Sequence, residues 1–515
     1  MWTTLRHDGV LFPPEYNEHG VRLLYNKRPV TLTKDQEEIA TMFAAFYVTD
    51  YAKNPIFRTN FWAGFKKTLG ANHTIQNLDK CDFHTIYKHL LKERARKQAL
   101  PKEDRIQMKK LQEERESSYK VAFVNGKEEA VGNFRIEPPG LFRGRGDHPL
   151  MGTIKRRIYP EDVTINIGVG EPIPKHPYPG RAWKNVIHDN TVTWLAKWSD
   201  TVIHNDVKYV FLAVTSAIKT KSDFAKYEKA RALKKMIRKI RANYERDLRP
   251  CGNPKQREIA TAMYLVDRLA LRVGHEKSSA FEADTVGTCT LKVKHLQVIP
   301  PAAIKLKFLG KDSICYENTT KVAPNVYANL KEYTYRKNPD GLVFNNIDAV
   351  HLNRYLNSIM DGLSAKVFRT YNASVTLDRL LSTSQCANMS IPEKLAIYER
   401  ANKHVAVLCN HQRAISKSHS KQVKLLKQKI KELQKRASKY DDPKAQEQIT
   451  KLNLKLKLKD EMKTIALGTS RANYMDPRIT VAWCKRCDVP LEKVFSKTLI
   501  SKFNWALDSQ PSFTF

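Results

Sequence analysis

Tyr474 is the candidate nucleophile of this chain, and it follows the stretch Leu-Gly-Thr-Ser-Arg-Ala-Asn. The Gly-Thr-Ser part, at 468–470, predicts a turn. Asp476 and Pro477 have the pattern of an N-cap and a first-turn proline, which predicts a helix over residues 478–486. A phenol has an unperturbed pKa of about 10, so it needs cations around the group that it attacks. The alternative is a core tyrosine whose hydroxyl has one partner.

Cationic side chains that could surround such a group occur upstream at Arg272, Lys311, Arg369 and His411. Arg272 is predicted in the last turn of an apolar helix over residues 257–272, with Gly274 as the residue just past its end. A capping arginine, or a surface ion pair with Asp267 or Glu276, is the alternative to a catalytic role.

Lys311 is predicted at the tip of a β-hairpin. Apolar residues alternate over 304–308 and again over 314–316, with Gly310, Lys311 and Asp312 between them. A lysine on a rigid tip can be held in one place. The spacing of a nucleotide-binding phosphate loop is absent from this stretch and from the rest of the sequence.

Arg369 and His411 lie on or beside predicted helices. Arg369 belongs to a helical pattern over residues 364–371, and His411 falls on or next to the apolar stripe of a helix over residues 392–413. The imidazole is either a satisfied core histidine or a half-buried group directed into a site.

The charge of the chain indicates a polyanionic partner. Its 515 residues carry 89 Lys and Arg against 53 Asp and Glu, a formal net charge of +36. Nucleic acid is the first candidate and an anionic membrane surface the second. No run of 18 apolar residues occurs and the N-terminus lacks a signal-peptide pattern, which argues against the membrane.

The eight cysteines are scattered, which indicates free thiols in a reducing compartment. Cys484 and Cys487 form a C-x-x-C pair without the second ligand pair that a zinc site needs. We also find no carboxylate cluster of the kind that holds Mg²⁺. The sequence therefore predicts neither a metal nor a cofactor.

Basic residues also occur in a turn-rich stretch of the N-terminal half. Arg143 and Arg145 alternate with glycines, and Lys155 and Arg156 follow shortly after. Glycine lets a backbone approach a ligand closely, and arginine suits phosphate and base edges. These residues predict DNA contacts, although glycine- and arginine-rich stretches also form plain turns.

Residues 416–463 are rich in lysine and carry apolar residues at alternating steps of three and four. Asp441, Asp442 and Pro443 interrupt this pattern as a helix stop and restart. The pattern predicts an antiparallel coiled-coil hairpin with a positive outer face.

Six segments that include these residues resemble, in order, the diagnostic blocks of the eukaryotic type IB DNA topoisomerases: 138–146, 269–277, 308–314, 366–374, 408–413 and 466–483. The resemblance spans essentially the whole chain. It implies an α+β fold: a multi-lobed DNA clamp with a mixed α/β cap, a mostly helical catalytic domain and a coiled-coil linker. The implied domains are residues 1–215, 216–415, 416–463 and 464–515.

The resemblance also implies the chemistry. Tyr474 would attack a DNA backbone phosphate to give a 3′-phosphotyrosyl link, while Arg272, Arg369 and His411 donate hydrogen bonds to the non-bridging oxygens. Lys311 would protonate the leaving 5′-oxygen. Religation would need no ATP, and the chain would relax supercoils of either sign as a monomer.

By the same resemblance, residues near the cleaved DNA step and the site of camptothecin-type inhibitors are Arg145, Lys311, Asp312, Thr469 and Asn473. The family implies a nuclear protein, with a mitochondrial form as an alternative, and the usual charged N-terminal tail is missing because Met1 already begins the core. His275 departs from the family pattern, which has asparagine there, and the linker is short.

Two other functions stay open from the sequence. Tyrosine recombinases use a similar set of Arg, Lys, His and Tyr for the same chemistry, usually on a smaller chain. A DNA-binding scaffold without catalysis would use the basic regions and the coiled coil, and would not need the hydroxyl of Tyr474.

Overall fold

The computed structural model describes residues 2–203, 206–250, 253–275, 285–384, 386–416, 418–440 and 442–515. Glu276, Cys251 and Asp441, which entered the sequence predictions, lie outside these ranges. The described residues fall into two compact units, one up to Lys219 and the other from Thr220 on. Each unit has its own hydrophobic core.

The first unit mixes short strands with helices. Its strands are β1 (Leu5–His7), β2 (Leu23–Tyr25), β3 (Arg28–Val30), β4 (Cys81–Asp82), β5 (Val121–Val124), β6 (Lys127–Ala130), β7 (Gly140–Leu141), β8 (Ile154–Lys155), β9 (Thr164–Asn166), β10 (Asn185–Ile187), β11 (Trp194–Ser199) and β12 (Val207–Phe211). Its helices are α1 (Lys34–Ala44), α2 (Asp50–Lys53), α3 (Pro55–Leu69), α4 (His84–Ala99) and α5 (Lys102–Ser117). The strands pair in the orders β1-β5-β6, β3-β2-β4, β7-β8 and β10-β9-β11-β12.

Helix α3 illustrates how local sequence builds the first unit. The Asn54 side chain accepts hydrogen bonds from the backbone N–H groups of Ile56 and Phe57, and Pro55 occupies the first turn. Phe57, Phe61 and Phe65 recur every four residues and are fully buried on one face. The helix is therefore anchored to the core through a row of aromatic rings.

The second unit is mostly helical with one small sheet. Its helices are α6 (Ala217–Asp247), which begins just before the unit boundary, α7 (Pro254–Leu269), α8 (Pro324–Thr334), α9 (Ala349–Ile359), α10 (Ala365–Ser382), α11 (Ile391–Leu408), α12 (His419–Tyr440), α13 (Pro443–Glu461), α14 (Leu467–Asn473), α15 (Pro477–Arg486) and α16 (Lys497–Lys502). Its strands are β13 (Leu296–Ile299), β14 (Ala303–Leu309) and β15 (Cys315–Lys321), paired in that order. The predicted mixture of α and β structure is confirmed, while the clamp and the coiled-coil linker stay predictions.

The predicted β-hairpin around Lys311 is confirmed. Strands β14 and β15 are antiparallel, and their last pair before the tip is Leu309 with Cys315. Asp312 and Ser313 have positive φ values of 67° and 56°, which allow the chain to reverse direction. The strand pairing holds Lys311 on a short, well-anchored turn.

The predicted end of the helix before Arg272 is wrong. Helix α7 stops at Leu269 because Ala270 adopts a left-handed conformation, with φ 51° and ψ 32°. Arg272 therefore lies beyond the helix, where its carbonyl oxygen accepts hydrogen bonds from the N–H of Thr288, at 2.8 Å, and from the Thr288 hydroxyl. Gly274 instead lies against Gly287, where a Cβ would come within 2.8 Å of backbone.

Helices α12 and α13 pack against each other as an antiparallel pair. The Lys459 Nζ atom, near the end of α13, donates to the Gln422 Oε1 atom, near the start of α12, at 2.6 Å. The Asp442 carboxylate accepts from the N–H groups of Lys444 and Ala445 and begins α13. None of the helices in the described ranges combines the length and hydrophobicity needed to cross a membrane.

Candidate active site

Tyr474 lies at the junction of two helices. Its backbone N–H donates to the Ser470 carbonyl at 2.9 Å and closes α14, so the turn predicted at 468–470 is wrong and this segment is helical. The predicted N-cap is confirmed, because the Asp476 carboxylate accepts from the Arg478 N–H at 3.0 Å as α15 begins. The tyrosine is thus the C-cap of α14, and one residue separates it from the N-cap of α15.

A buried network ties this junction to α10. The Ser374 hydroxyl donates to the Tyr474 carbonyl at 3.3 Å and accepts from the Asp476 N–H at 3.1 Å. Arg478 pairs with the fully buried Asp476 carboxylate through two hydrogen bonds, at 3.0 and 2.7 Å. These bonds fix the backbone on both sides of the tyrosine side chain.

Three of the predicted cationic or imidazole groups surround the Tyr474 side chain. The Arg272 Nη1 atom donates to the phenol oxygen at 3.3 Å. The Arg369 guanidinium carbon lies 5.2 Å from the centre of the phenol ring, and the His411 ring centre lies 5.1 Å from it at an interplanar angle of 32°. The fold therefore brings together residues separated by up to 202 positions in sequence.

Arg369 is held in the interior by backbone carbonyls. Its side chain is on α10, the residue is 4% exposed, and the guanidinium donates to the carbonyl oxygens of Ala270 and Cys409. These carbonyls belong to the residues that end α7 and α11, so one guanidinium joins three helices. Its Nε is buried without a hydrogen-bond partner among the described residues.

His411 follows the end of α11 and is 6% exposed. Its backbone is fixed on both sides, because its N–H donates to the Ala406 carbonyl and its carbonyl accepts from Ala466, each at 2.8 Å. The Nδ1 atom lies 2.6 Å from the Ser470 hydroxyl oxygen. The Nε2 atom is buried and has no partner in the described part of the chain.

The electrostatics of this group favour an activated phenol. Burial alone would raise the pKa of Tyr474, but the Arg369 and Arg272 charges outweigh it and lower this pKa below its ordinary value. Burial, then the same two arginines, lowers the pKa of His411 to about 3. At neutral pH the imidazole is therefore uncharged and can donate from only one nitrogen.

A cavity in the second unit is lined by Arg272, Arg369 and His411. Three further predicted residues line it: Lys311 and Asp312 at the hairpin tip, and Thr469 on α14. Asn473, four residues after Thr469, is exposed, and its side-chain amide donates to the Thr469 carbonyl at 3.1 Å. The side chain of Lys311 is exposed, as a group that meets a ligand from solvent would be.

The remaining predicted DNA contacts lie in the first unit. Arg143 and Arg145 are exposed. Lys155 pairs with Glu137, and Arg156 makes two hydrogen bonds to the Asp162 carboxylate, at 2.6 and 2.7 Å. The last two cations are thus partly neutralised by carboxylates within the same unit.

Two residues of the site were missed by the sequence reasoning. Ser374 and Ser470 are both fully buried. Ser374 hydrogen bonds to the backbone of Tyr474, and Ser470 hydrogen bonds to the imidazole of His411. Ser470 is four residues before Tyr474, a spacing that places both on one helix face. That signal was hidden because the segment was predicted as a turn.

Within the described ranges, no group of three or more His, Cys, Asp or Glu side chains is arranged to hold a metal ion. Burial raises the pKa of the Cys484 and Cys487 thiols to about 12, so both remain protonated at neutral pH. His275, the residue that departs from the expected family pattern, is exposed.

Family models match almost the whole chain in three consecutive parts. Residues 1–212 match "Eukaryotic DNA topoisomerase I, DNA binding fragment" and residues 215–443 match "Eukaryotic DNA topoisomerase I, catalytic core". Residues 446–515 match "C-terminal topoisomerase domain". The third match includes Tyr474, and the second includes the other four predicted catalytic residues.

Similar proteins occur in plants, fungi and animals. "DNA topoisomerase 1 beta" of Arabidopsis thaliana is 49% identical over 100% of this chain and 59% of its own length. "DNA topoisomerase 1" of Schizosaccharomyces pombe is 41% identical over 99% of this chain and 76% of its own. "DNA topoisomerase I, mitochondrial" of Homo sapiens is 40% identical over 98% and 90%. The chain thus spans less than two thirds of the Arabidopsis protein.

Proposed function

The chain belongs to the eukaryotic DNA topoisomerase I family, and we propose that it relaxes supercoiled duplex DNA by breaking and rejoining one strand. Tyr474 is the proposed nucleophile. The observation that carries the proposal is the contact of its hydroxyl with Arg272 at 3.3 Å, beside Arg369 and His411. A phenol whose pKa is lowered by two guanidinium groups is suited to attack a phosphodiester.

In the proposed cleavage step, the Tyr474 oxygen forms a bond to phosphorus as the bond from phosphorus to the 5′-oxygen breaks. The phenol proton passes to solvent, and the leaving 5′-oxygen gains a proton to become a hydroxyl. The product is a 3′-phosphotyrosyl link. Because the 3′-phosphotyrosyl link retains the free energy of the broken phosphodiester bond, the reverse attack by the 5′-hydroxyl rejoins the strand without ATP.

Arg272, Arg369 and His411 are proposed to stabilise the transition state. Negative charge builds on the non-bridging oxygens as phosphorus becomes five-coordinate, and donors already fixed in a buried site stabilise that charge without reorganisation. The unpartnered Nε of Arg369 and Nε2 of His411 are available for this task. The backbone bonds that hold Arg369 support its role as a pre-positioned donor.

Lys311 is proposed to be the general acid for the 5′-oxygen. It lines the same cavity as Arg272 and His411, and the hairpin tip restrains it. An ammonium can give a proton to a departing alkoxide and recover it during religation. With four cationic or donor groups at one phosphate, we propose that the reaction needs neither a metal ion nor an organic cofactor.

Both units are proposed to contribute basic surface to a clamp on duplex DNA. The net charge of +36 favours sequence-independent contacts with the phosphate backbone. The predicted DNA contacts are Arg143, Arg145, Lys155, Arg156, Lys311, Asp312, Thr469 and Asn473. The helical pair α12–α13 is proposed to be a coiled-coil linker that lies beside the rotating duplex.

The finer features of the proposal follow the family. The domains are proposed as residues 1–215, 216–415, 416–463 and 464–515, in a chain that acts as a monomer in the nucleus or the mitochondrion. The surroundings of Lys311, Asp312, Thr469 and Asn473 are proposed to bind camptothecin-type inhibitors.

The experiment that tests the proposal is plasmid relaxation in EDTA without ATP. Negatively and positively supercoiled plasmids are each incubated with the purified chain, and covalent complexes are trapped with detergent. We expect relaxation of both plasmids and a complex in which the protein is attached to a 3′ end.

Tyr474→Phe is the matched variant, because it removes only the hydroxyl. It is expected to bind DNA with unchanged affinity and to give neither relaxation nor a covalent complex. Relaxation by Tyr474→Phe would exclude this nucleophile. Binding without relaxation by the unmutated chain would instead favour the scaffold function.

A further inference from the structure

The Ser470 hydroxyl is placed to control which nitrogen of His411 carries the proton. Ser470 is fully buried on α14, and its oxygen lies 2.6 Å from the His411 Nδ1 atom. The opposite nitrogen, Nε2, belongs to the ring that lines the cavity and is buried without a partner among the residues that the structure describes. The two ring nitrogens therefore have very different surroundings.

Two tautomers of a neutral imidazole are compatible with this contact. In one, the serine hydroxyl donates to Nδ1 and the proton is on Nε2; in the other, Nδ1 donates to the serine oxygen and Nε2 has a bare lone pair. The second arrangement leaves the serine proton without an acceptor, since the hydroxyl makes no other hydrogen bond within the described ranges. A buried donor without an acceptor is unfavourable, so the first arrangement is favoured.

The ring cannot readily flip about its Cβ–Cγ bond. It packs at 5.1 Å against the Tyr474 ring, and the backbone of His411 is fixed by hydrogen bonds with Ala406 and Ala466. A ring flip would break the bond to Ser470, because it would place the Cδ2 carbon where Nδ1 now lies. The position of the serine thus determines the atom that faces the cavity.

We propose that Ser470 is a positioning residue that holds neutral His411 with its proton on Nε2, so that the site presents an N–H donor to an incoming phosphate oxygen. This inference rests on the proposed function for its catalytic consequence, but the tautomer itself is a property of the free protein. The opposite tautomer would direct a lone pair at an anion, which is repulsive.

The tautomer can be measured directly by NMR on protein labelled with ¹⁵N-histidine. A protonated and an unprotonated ring nitrogen have well-separated shifts, and the His411 signals are assigned as those missing from His411→Gln. We expect Nε2 to be protonated in the unmutated chain and both tautomers to be populated in Ser470→Ala. Protonation on Nδ1 in the unmutated chain would overturn the inference.

Kinetics supply the second readout. Ser470→Ala is expected to slow the formation of covalent complex by about 2- to 10-fold, which is the effect on the rate of losing one hydrogen bond. The affinity for DNA is expected to stay unchanged. In a His411→Ala background the same change is expected to have no further effect, because the serine acts through the imidazole. Equal losses in both backgrounds would mean that Ser470 acts on the structure of α14 instead.

Ser216→Ala is the matched control, since it removes a buried hydroxyl in the first unit. It is expected to leave the rate of complex formation unchanged. If the unmutated chain forms no covalent complex, the proposed function fails, whereas the NMR result still tests the tautomer.

Discussion

Arg369→Lys separates the structural and the catalytic contributions of one buried side chain. The substitution keeps a positive charge near the phenol ring but removes the planar fork that now donates to the Ala270 and Cys409 carbonyls. A lysine ammonium can reach one of these carbonyls and leaves the other unsatisfied. It also removes the unpartnered Nε that we propose as a phosphate donor.

The two losses have different sizes. One orphaned buried carbonyl costs about 1–3 kcal/mol of folding free energy. The loss of one pre-positioned donor to a transition-state oxyanion costs about 10²- to 10³-fold in rate. We therefore expect a thermal midpoint lowered by a few degrees, together with covalent-complex formation slowed by two to three orders of magnitude at saturating DNA.

The rate of covalent-complex formation is measured by trapping the complex at successive times. The affinity for DNA is measured with the double variant Tyr474→Phe and Arg369→Lys, which binds DNA without cleaving it. Arg157→Lys is the control, because Arg157 is also largely buried and bonds to the Glu38 carboxylate and the Pro14 carbonyl, both at 2.8 Å, in the other unit. It is expected to reduce stability without slowing cleavage. A rate for Arg369→Lys within threefold of the unmutated chain would refute the role assigned to the guanidinium.

Four further predictions concern the same site. Ser374→Ala leaves the Asp476 N–H unsatisfied and is expected to cost about 1–3 kcal/mol of stability, measured by urea unfolding; an unchanged midpoint would contradict the bridging role. The rate of complex formation is expected to rise with pH and to level off below pH 10, because the pKa of Tyr474 is lowered. No titration of His411 is expected in the folded chain between pH 5 and 8, because its pKa is about 3. The histidine of the unfolded chain has the ordinary pKa of about 6.5, so the unfolded chain binds more protons between about pH 6.5 and about pH 3. The free energy of unfolding is therefore expected to fall as the pH falls from about 6.5 to about 3, and to fall less steeply in His411→Gln. Lys311→Ala is expected to lose cleavage of normal DNA but to keep cleavage of a strand with sulfur at the bridging 5′ position, which leaves without a proton; equal losses on both substrates would exclude the general-acid role.

The family was predicted from the resemblance of six ordered segments and is confirmed by the comparisons. Elements with strong local signals were also predicted well. Asp476 and Pro477 begin α15, and alternating apolar residues form the hairpin that carries Lys311. Capping and strand alternation depend on neighbouring residues, so a short stretch of sequence contains the information.

Other features depended on the tertiary structure. The Gly-Thr-Ser segment is helical although glycine favours a turn, and α7 ends at Leu269, five residues before the glycine predicted to follow its end. In both cases packing against distant residues outweighs a local preference of about 1 kcal/mol. Intrinsic propensity is too weak to decide such boundaries.

The sequence by itself determined the residue types of the site, the chemistry that they could perform and the family. Only the tertiary structure decided that Arg272 contacts the Tyr474 hydroxyl, that Arg369 is held by two carbonyls and that Ser470 faces the imidazole. These contacts join residues far apart in the chain, and their distances and burial set the pKa values and the tautomer. No local pattern encodes them, because they arise from the packing of whole helices around a common core.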